Sequence, residues 1–186
     1  VLAFISQTAQ SAVEQALQYD LAVSFDISRS KLIGLATIQV FRSKPLLLNV
    51  GRLAIHSVRL NGRRLEFEVR SGLLALTPPD SGSLEINYDA VFAPGGSVSP
   101  GRDASIPSVI SREGIFLTSA WYPQIEALAR YRLKATLPRG FVAVSEADKI
   151  DTREERGGVT FAFELDHPLD GINLVASDRF RTCVAR

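Results

Sequence analysis

One cysteine, two histidines and no methionine stand among 186 residues, and these scarcities narrow what the chain can do. The lone Cys183 cannot form an internal disulfide, so the fold is not stapled and cysteine usage identifies no redox compartment. His56 and His167 lie far apart, and neither has a His or Cys at the short spacing of a zinc site, which argues against a metal centre built on either. Charge of one sign is also missing. Interspersed along the chain, 21 Lys and Arg against 20 Asp and Glu leave a formal net charge of +1, no field to concentrate a polyanion, so nucleic acid is not an expected partner. No apolar run approaches the roughly 20 residues of a membrane-spanning helix. Apolar side chain, by contrast, is plentiful at 46% of residues, enough to exclude disorder and to build a sizeable core.

The periodicity is that of an all-β chain. Residues Ser6 to Gln18 carry Val13 and Leu17 at helical spacing and predict one short N-terminal helix, so residues 1–18 are read as a helical segment and 19–186 as a single β domain. From Tyr19 the period becomes two, with Tyr19, Leu21, Val23, Phe25 and Ile27 on one face. Leu32 to Phe41 follows, with Gly34 marking a bulge or a close approach. Asn61-Gly62 is the dipeptide of a type I′ hairpin, and Leu65, Phe67 and Val69 form its expected return strand. Further alternating runs end at turn residues, giving roughly a dozen short strands in an antiparallel meander. Between Ala93 and Gly114 more than half the residues are Gly, Pro or Ser, a composition that marks a functional or mobile loop. Asp148 to Arg156 reads as a solvated hairpin tip closed by Gly157-Gly158. The start at Val1, the lack of methionine and the strand-like Val184-Ala185-Arg186 lead us to expect a segment of a longer chain, with Val1 to Ile5 either the trimmed end of a signal or anchor or a plain domain boundary.

Reactive side chains in catalytic patterns are scarce. Gly95-Gly96-Ser97-Val98-Ser99 has Ser where a nucleophile elbow needs Gly. Cys183 has Arg181 and Arg186 nearby but no histidine close in sequence, and reads as a half-buried strand thiol. Arg59, Arg63 and Arg64 are expected to pair with Glu66 and Glu68 in their hairpin. Arg130, Arg132 and Lys134 form either a basic stripe or a solvated strand face, the second being favoured.

The stretch Tyr19-Asp20-Leu21-Ala22-Val23-Ser24-Phe25-Asp26-Ile27, followed by Leu32-Ile33-Gly34-Leu35-Ala36-Thr37-Ile38, resembles the first two strands of the N-terminal domain of M1 zinc aminopeptidases. Ala120-Trp121-Tyr122-Pro123, then Tyr131 to Pro138 and Phe141 to Ser145, is similar to that domain's later segment, where an aromatic-proline turn leads into a strand, a proline and a further apolar strand. The resemblance implies a twisted, saddle-like antiparallel β-sandwich that docks on a thermolysin-like domain. It further implies that the zinc belongs to that missing catalytic domain, since no His-Glu-x-x-His helix occurs here.

The family places a Gln or Glu from this domain beside the substrate's amino group, upstream of the aromatic-proline turn. Glu113 is the acidic or amide side chain in the matching stretch Glu113 to Ser119. It becomes the candidate substrate-binding residue, with no catalytic or metal-binding residue in the chain itself. The expected function is a non-catalytic wall of a peptidase cleft, with the catalytic domain of the same parent chain and the peptide amino terminus as partners. An extracytoplasmic setting is weakly favoured. A free-standing β-sandwich interaction or carbohydrate-binding module presenting Trp121, Tyr122 and the long loop is the alternative, and a parent that has lost its zinc ligands is a third.

Overall fold

A computed structural model describes residues 17–95, 108–118 and 120–180. The chain runs β1 (Leu17–Asp26), a single 3-10 turn (Ile27–Arg29), β2 (Lys31–Val40), β3 (Leu46–Asn49), β4 (Ala54–Leu60), β5 (Arg63–Leu65), β6 (Val69–Arg70), β7 (Leu73–Leu76) and β8 (Gly82–Val91). It continues through β9 (Val109–Ile110), β10 (Ile115–Leu117), β11 (Ala129–Leu137), β12 (Val142–Val144), β13 (Lys149–Glu155), β14 (Gly158–Glu164) and β15 (Leu174–Ser177). The described chain is thus all-β, as the period-two pattern predicts. The expected N-terminal helix falls outside the described residues, except that its last two positions, Leu17 and Gln18, open β1 as strand.

Three sheets enclose one core. The large sheet has the order β13-β14-β11-β1-β2-β8-β4-β5, a four-stranded sheet has β12-β15-β10-β9, and a three-stranded sheet has β3-β7-β6. Strand β11 shows why these sequences lie where they do. Ala129, Tyr131, Leu133, Ala135 and Leu137 are buried while Arg130, Arg132, Lys134 and Thr136 are exposed. A slip of one residue would bury three cations, so the alternation sets the register. Inward residues of all three sheets, among them Leu21, Ile38, Leu48, Leu74, Leu117 and Leu174, form a single cluster, each large aliphatic chain worth about 1.5–3 kcal/mol on burial.

Several local expectations hold. Asn61 and Gly62 have φ of 50° and 80°, the two positive angles of a type I′ turn. The Asn61 side chain also accepts from Ser83 N at 3.0 Å and donates to Ser81 O at 3.1 Å, tying the hairpin to the start of β8.

Other expectations need correcting. The meander contains a parallel pair, β1 on β11, which a local hairpin cannot make and which the long stretch between the two strands supplies. The return strand from Leu65 to Val69 is broken: β5 ends at Leu65, and Val69–Arg70 joins another sheet. Asp148 to Arg156 is no mere tip. Its residues are solvated, but seven of them form β13, an edge strand paired along its length with β14. Charge is what keeps such an edge from random pairing.

Gly34 marks a close approach, to Tyr88. A Cβ built on Gly34 would lie 2.3 Å from Tyr88 Cζ, and Tyr88 is 1% exposed with no room to retreat. We therefore expect Gly34→Ala to destabilise the fold by roughly 2–3 kcal/mol through overpacking, measured as a shift of the urea midpoint at constant m. An unchanged midpoint would show that the ring moves freely.

Candidate functional site

The four-stranded sheet combines a buried row with an outward apolar row. Cross-strand partners Ile110, Ile115, Ala176 and Ala143 face the core, and the next row, Val109, Phe116, Val175 and Val144, faces away from it. Val144 is 55% exposed, and Phe180 follows the same sheet at 40%. Four adjacent strands therefore present a contiguous apolar stripe, whereas an outward face at a domain surface is ordinarily polar.

Hydrogen bonds hold this sheet to the aromatic-proline turn. Trp121 Nε1 donates to Ile172 O at 3.1 Å, and Ile172 N donates to Tyr122 Oη at 3.3 Å. Asn49 and Gln124 exchange backbone bonds of 2.7 and 2.9 Å, linking the turn to β3. Ala120 enters the turn with φ 47°, a left-handed conformation that costs a non-glycine residue energy. Gln124 Oε1 accepts from its N–H at 3.2 Å. Glu146 receives Asn173 N and Asn173 Nδ2, both at 2.7 Å. Glu146 does not stand out in sequence, because its partner Asn173 becomes a neighbour only in three dimensions.

Glu113 sits in the tight turn joining β9 to β10, where Ser111 N donates to Gly114 O at 2.9 Å. Gly114 has φ 158°, and a Cβ there would meet Ala176 O at 2.9 Å. The turn is thus pinned against β15, and Ser177 Oγ donates to Glu113 O at 3.1 Å. The Glu113 side chain is exposed. A hydrogen bond from Ser111 holds its carboxyl below the ordinary glutamate value, with further help from its own backbone N–H, Arg179 and Arg112. It is therefore ionised at neutral pH, but the two guanidinium groups weaken its pull on another cation.

The aromatic alternative fails on geometry. Trp121 and Tyr122 are both 0% exposed. Trp121 packs edge-on to Tyr122 at 4.7 Å between ring centres, so neither offers a stacking platform. The segment from 96 to 107, within the long Gly, Pro and Ser stretch, and Cys183 lie outside the described residues. Both histidines hold aspartates: His56 Nε2 lies 2.7 Å from Asp89 Oδ2, and His167 Nδ1 3.1 Å from Asp148 Oδ2. Among the described residues no three His, Cys, Asp or Glu side chains gather as a metal requires, so these residues do not fit a zinc ion. Arg59, Arg63 and Arg64 make no ion pair among the described residues. Arg70–Glu68 at 2.7 Å is the pair formed in that region. Arg130, Arg132 and Lys134 line a solvated face, and Arg132 reaches Asp20 at 3.7 Å.

No family model and no curated protein matches the sequence, but solved structures do. A mutant M1 zinc metallopeptidase from Deinococcus radiodurans, bound to a Tyr-Ser-Ala substrate, matches with TM-score 0.71 at 18% identity, over 88% of this chain and 43% of that one. The M1 zinc metallopeptidase of the same organism matches with TM-score 0.68 at 18% identity, over 87% and 42%. A mutant two-domain M1 zinc metallopeptidase bound to L-tryptophan matches with TM-score 0.65 at 18% identity, over 88% and 43%. This chain has the fold of part of an M1 metallopeptidase. It spans less than half the length of those M1 chains, and the resemblance read from Tyr19 onward is met at the level of fold.

One surface cluster has a measurable consequence. Asp89 Oδ2 accepts from Lys31 Nζ at 2.8 Å as well as facing His56. The Lys31 bond, with help from His56, holds the Asp89 carboxyl below its usual range. A depressed carboxyl stabilises the fold above its unfolded value of about 3.9 and loses that contribution as pH falls through its folded value. Asp89→Asn should cost about 1 kcal/mol at neutral pH and flatten the acid limb of stability against pH. An unaltered limb would refute the assignment.

Proposed function

We propose that this chain is the non-catalytic N-terminal β domain of a zinc-dependent M1-type aminopeptidase, forming one wall of the cleft in which peptides bind. The observation that carries this reading is the fold match over 88% of this chain against 43% of an M1 metallopeptidase. Support comes from the outward row Val109, Phe116, Val175 and Val144, a surface suited to a neighbouring domain. In this reading the catalytic domain of the same parent chain covers the row and would hold the zinc, which would supply the activation of water for cleavage of the first peptide bond.

Glu113 is the residue we assign to the substrate's ammonium group. Its ionised carboxylate stands at one end of the same sheet, on a turn anchored to Ser177. A neighbouring domain that excluded water from the contact would strengthen the pair against competition from Arg112 and Arg179.

Three measurements test the reading. The chain alone, given zinc, should release no amino-terminal residues. Phe116→Asp or Val144→Asp should leave the circular dichroism of the chain unchanged yet abolish its association with the remainder of the parent. In the assembled enzyme Glu113→Gln should raise KM for peptides about tenfold or more with kcat little changed, the loss of one charge-assisted bond. Stoichiometric zinc binding with peptidase activity in the chain alone would overturn the domain reading. An unmoved KM would overturn the role of Glu113 only.

A further inference from the structure

The open edge of the large sheet carries a self-matching order of charge. Strand β13 reads Lys149, Ile150, Asp151, Thr152, Arg153, Glu154, Glu155, and all seven residues are exposed. One side of it is taken by β14, and no described strand pairs with the other. The N–H of Thr152 is donated to its neighbour's carboxylate, Asp151 Oδ1, at 3.0 Å, which places that N–H on the open side. By strand alternation the backbone groups of Ile150 and Glu154 point the same way.

We propose that two copies of this chain join antiparallel along β13, about a twofold axis at Thr152, into one continuous sheet. In that register the outward backbone groups of Thr152 meet those of Thr152 in the second copy, and Ile150 meets Glu154. The side chains agree with the backbone. Lys149 falls opposite Glu155 and Asp151 opposite Arg153, so four opposite-charge pairs form across the axis on the outer face. On the inner face Ile150 lies against the aliphatic stem of Glu154.

Nearby registers are rejected by the same charges. An axis at Asp151 sets Lys149 against Arg153 and Asp151 against itself. An axis at Arg153 sets Asp151 against Glu155 and Arg153 against itself. Directly opposed like charges are destabilising and opposite ones favourable, so the sequence that guards this edge against arbitrary strands admits its own copy. The symmetry is isologous and closes at two, so no fibre follows. Asp151 now pairs within its own strand with Arg153 Nε at 3.3 Å. It exchanges that partner for the Arg153 of the second copy and releases Thr152 N–H to the ladder.

Sedimentation equilibrium of the 186-residue chain, over a micromolar to millimolar range, should show a monomer–dimer equilibrium that weakens with added salt. Arg153→Asp places carboxylates opposite one another at two positions and should weaken the dimer about tenfold or more. The swap Asp151→Arg with Arg153→Asp rebuilds the complementarity and should restore it. Thr152→Pro, tolerated on an edge whose N–H is not in the sheet, should abolish it. Circular dichroism of each variant separates loss of association from loss of fold. A monomer throughout the range, a dimer indifferent to Arg153→Asp and Thr152→Pro, or a charge swap that fails to restore association in a folded protein would overturn the proposal.

Discussion

Tyr19 and Tyr131 stand directly opposite each other on the parallel pair β1 and β11, with ring centres 5.4 Å apart. Tyr122 closes the group edge-on, 6.1 Å from the first and 6.0 Å from the second, and Trp121 packs behind it. The rest of the architecture depends on this contact. It joins the first described strand, the strand more than a hundred residues later and the aromatic-proline turn in one buried cluster. The turn's outer side is bonded to Ile172 beside β15 and to Asn49 of β3, so the same rings register the two small sheets against the large one. Burial drives the Tyr19 and Tyr131 hydroxyls far above the ordinary phenol range, which makes them neutral packing groups rather than acids.

Around that centre the surfaces divide by chemistry. The outer face of the large sheet carries a transverse row of three bases, three acids and a threonine, in which Arg59, Glu85, Thr37, Asp20, Arg132, Glu164 and Lys149 are successive cross-strand partners. Exposed pairs of this kind contribute little stability each. The four-stranded sheet instead turns valines and a phenylalanine outward, three of them half-buried and Val144 exposed, where further cover would add to their burial. A domain with a self-balanced polar face and an outward apolar row offers two chemically distinct surfaces on one fold, the fold found in part of M1 metallopeptidases.

The chain's most conspicuous polar side chains are engaged in structure: Glu146 holds Asn173, Asp89 gathers Lys31 and His56, and Asn61 binds the start of β8. Glu113 differs in projecting from a turn whose backbone is fixed while its carboxylate stays in solvent. Its position on the sheet that bears the apolar row, rather than any perturbation of its chemistry, is what recommends it.

Much of this was legible before any coordinates. Period-two alternation identified β1, β8, β11 and β14, because a half-buried strand writes its two environments into neighbouring residues. Asn61-Gly62 announced its hairpin, and Gly34 its close approach. What sequence alone could not decide was which strands become neighbours. The parallel pairing of β1 with β11, the allotment of Val69–Arg70 to a different sheet from Leu65, and the burial of a Trp-Tyr pair that resembled a binding platform all arise from contacts between distant segments. Alternation reports which side of a strand meets the core, a local property of adjacent side chains. Which strand lies alongside is settled only when the whole set of inward faces packs into one volume.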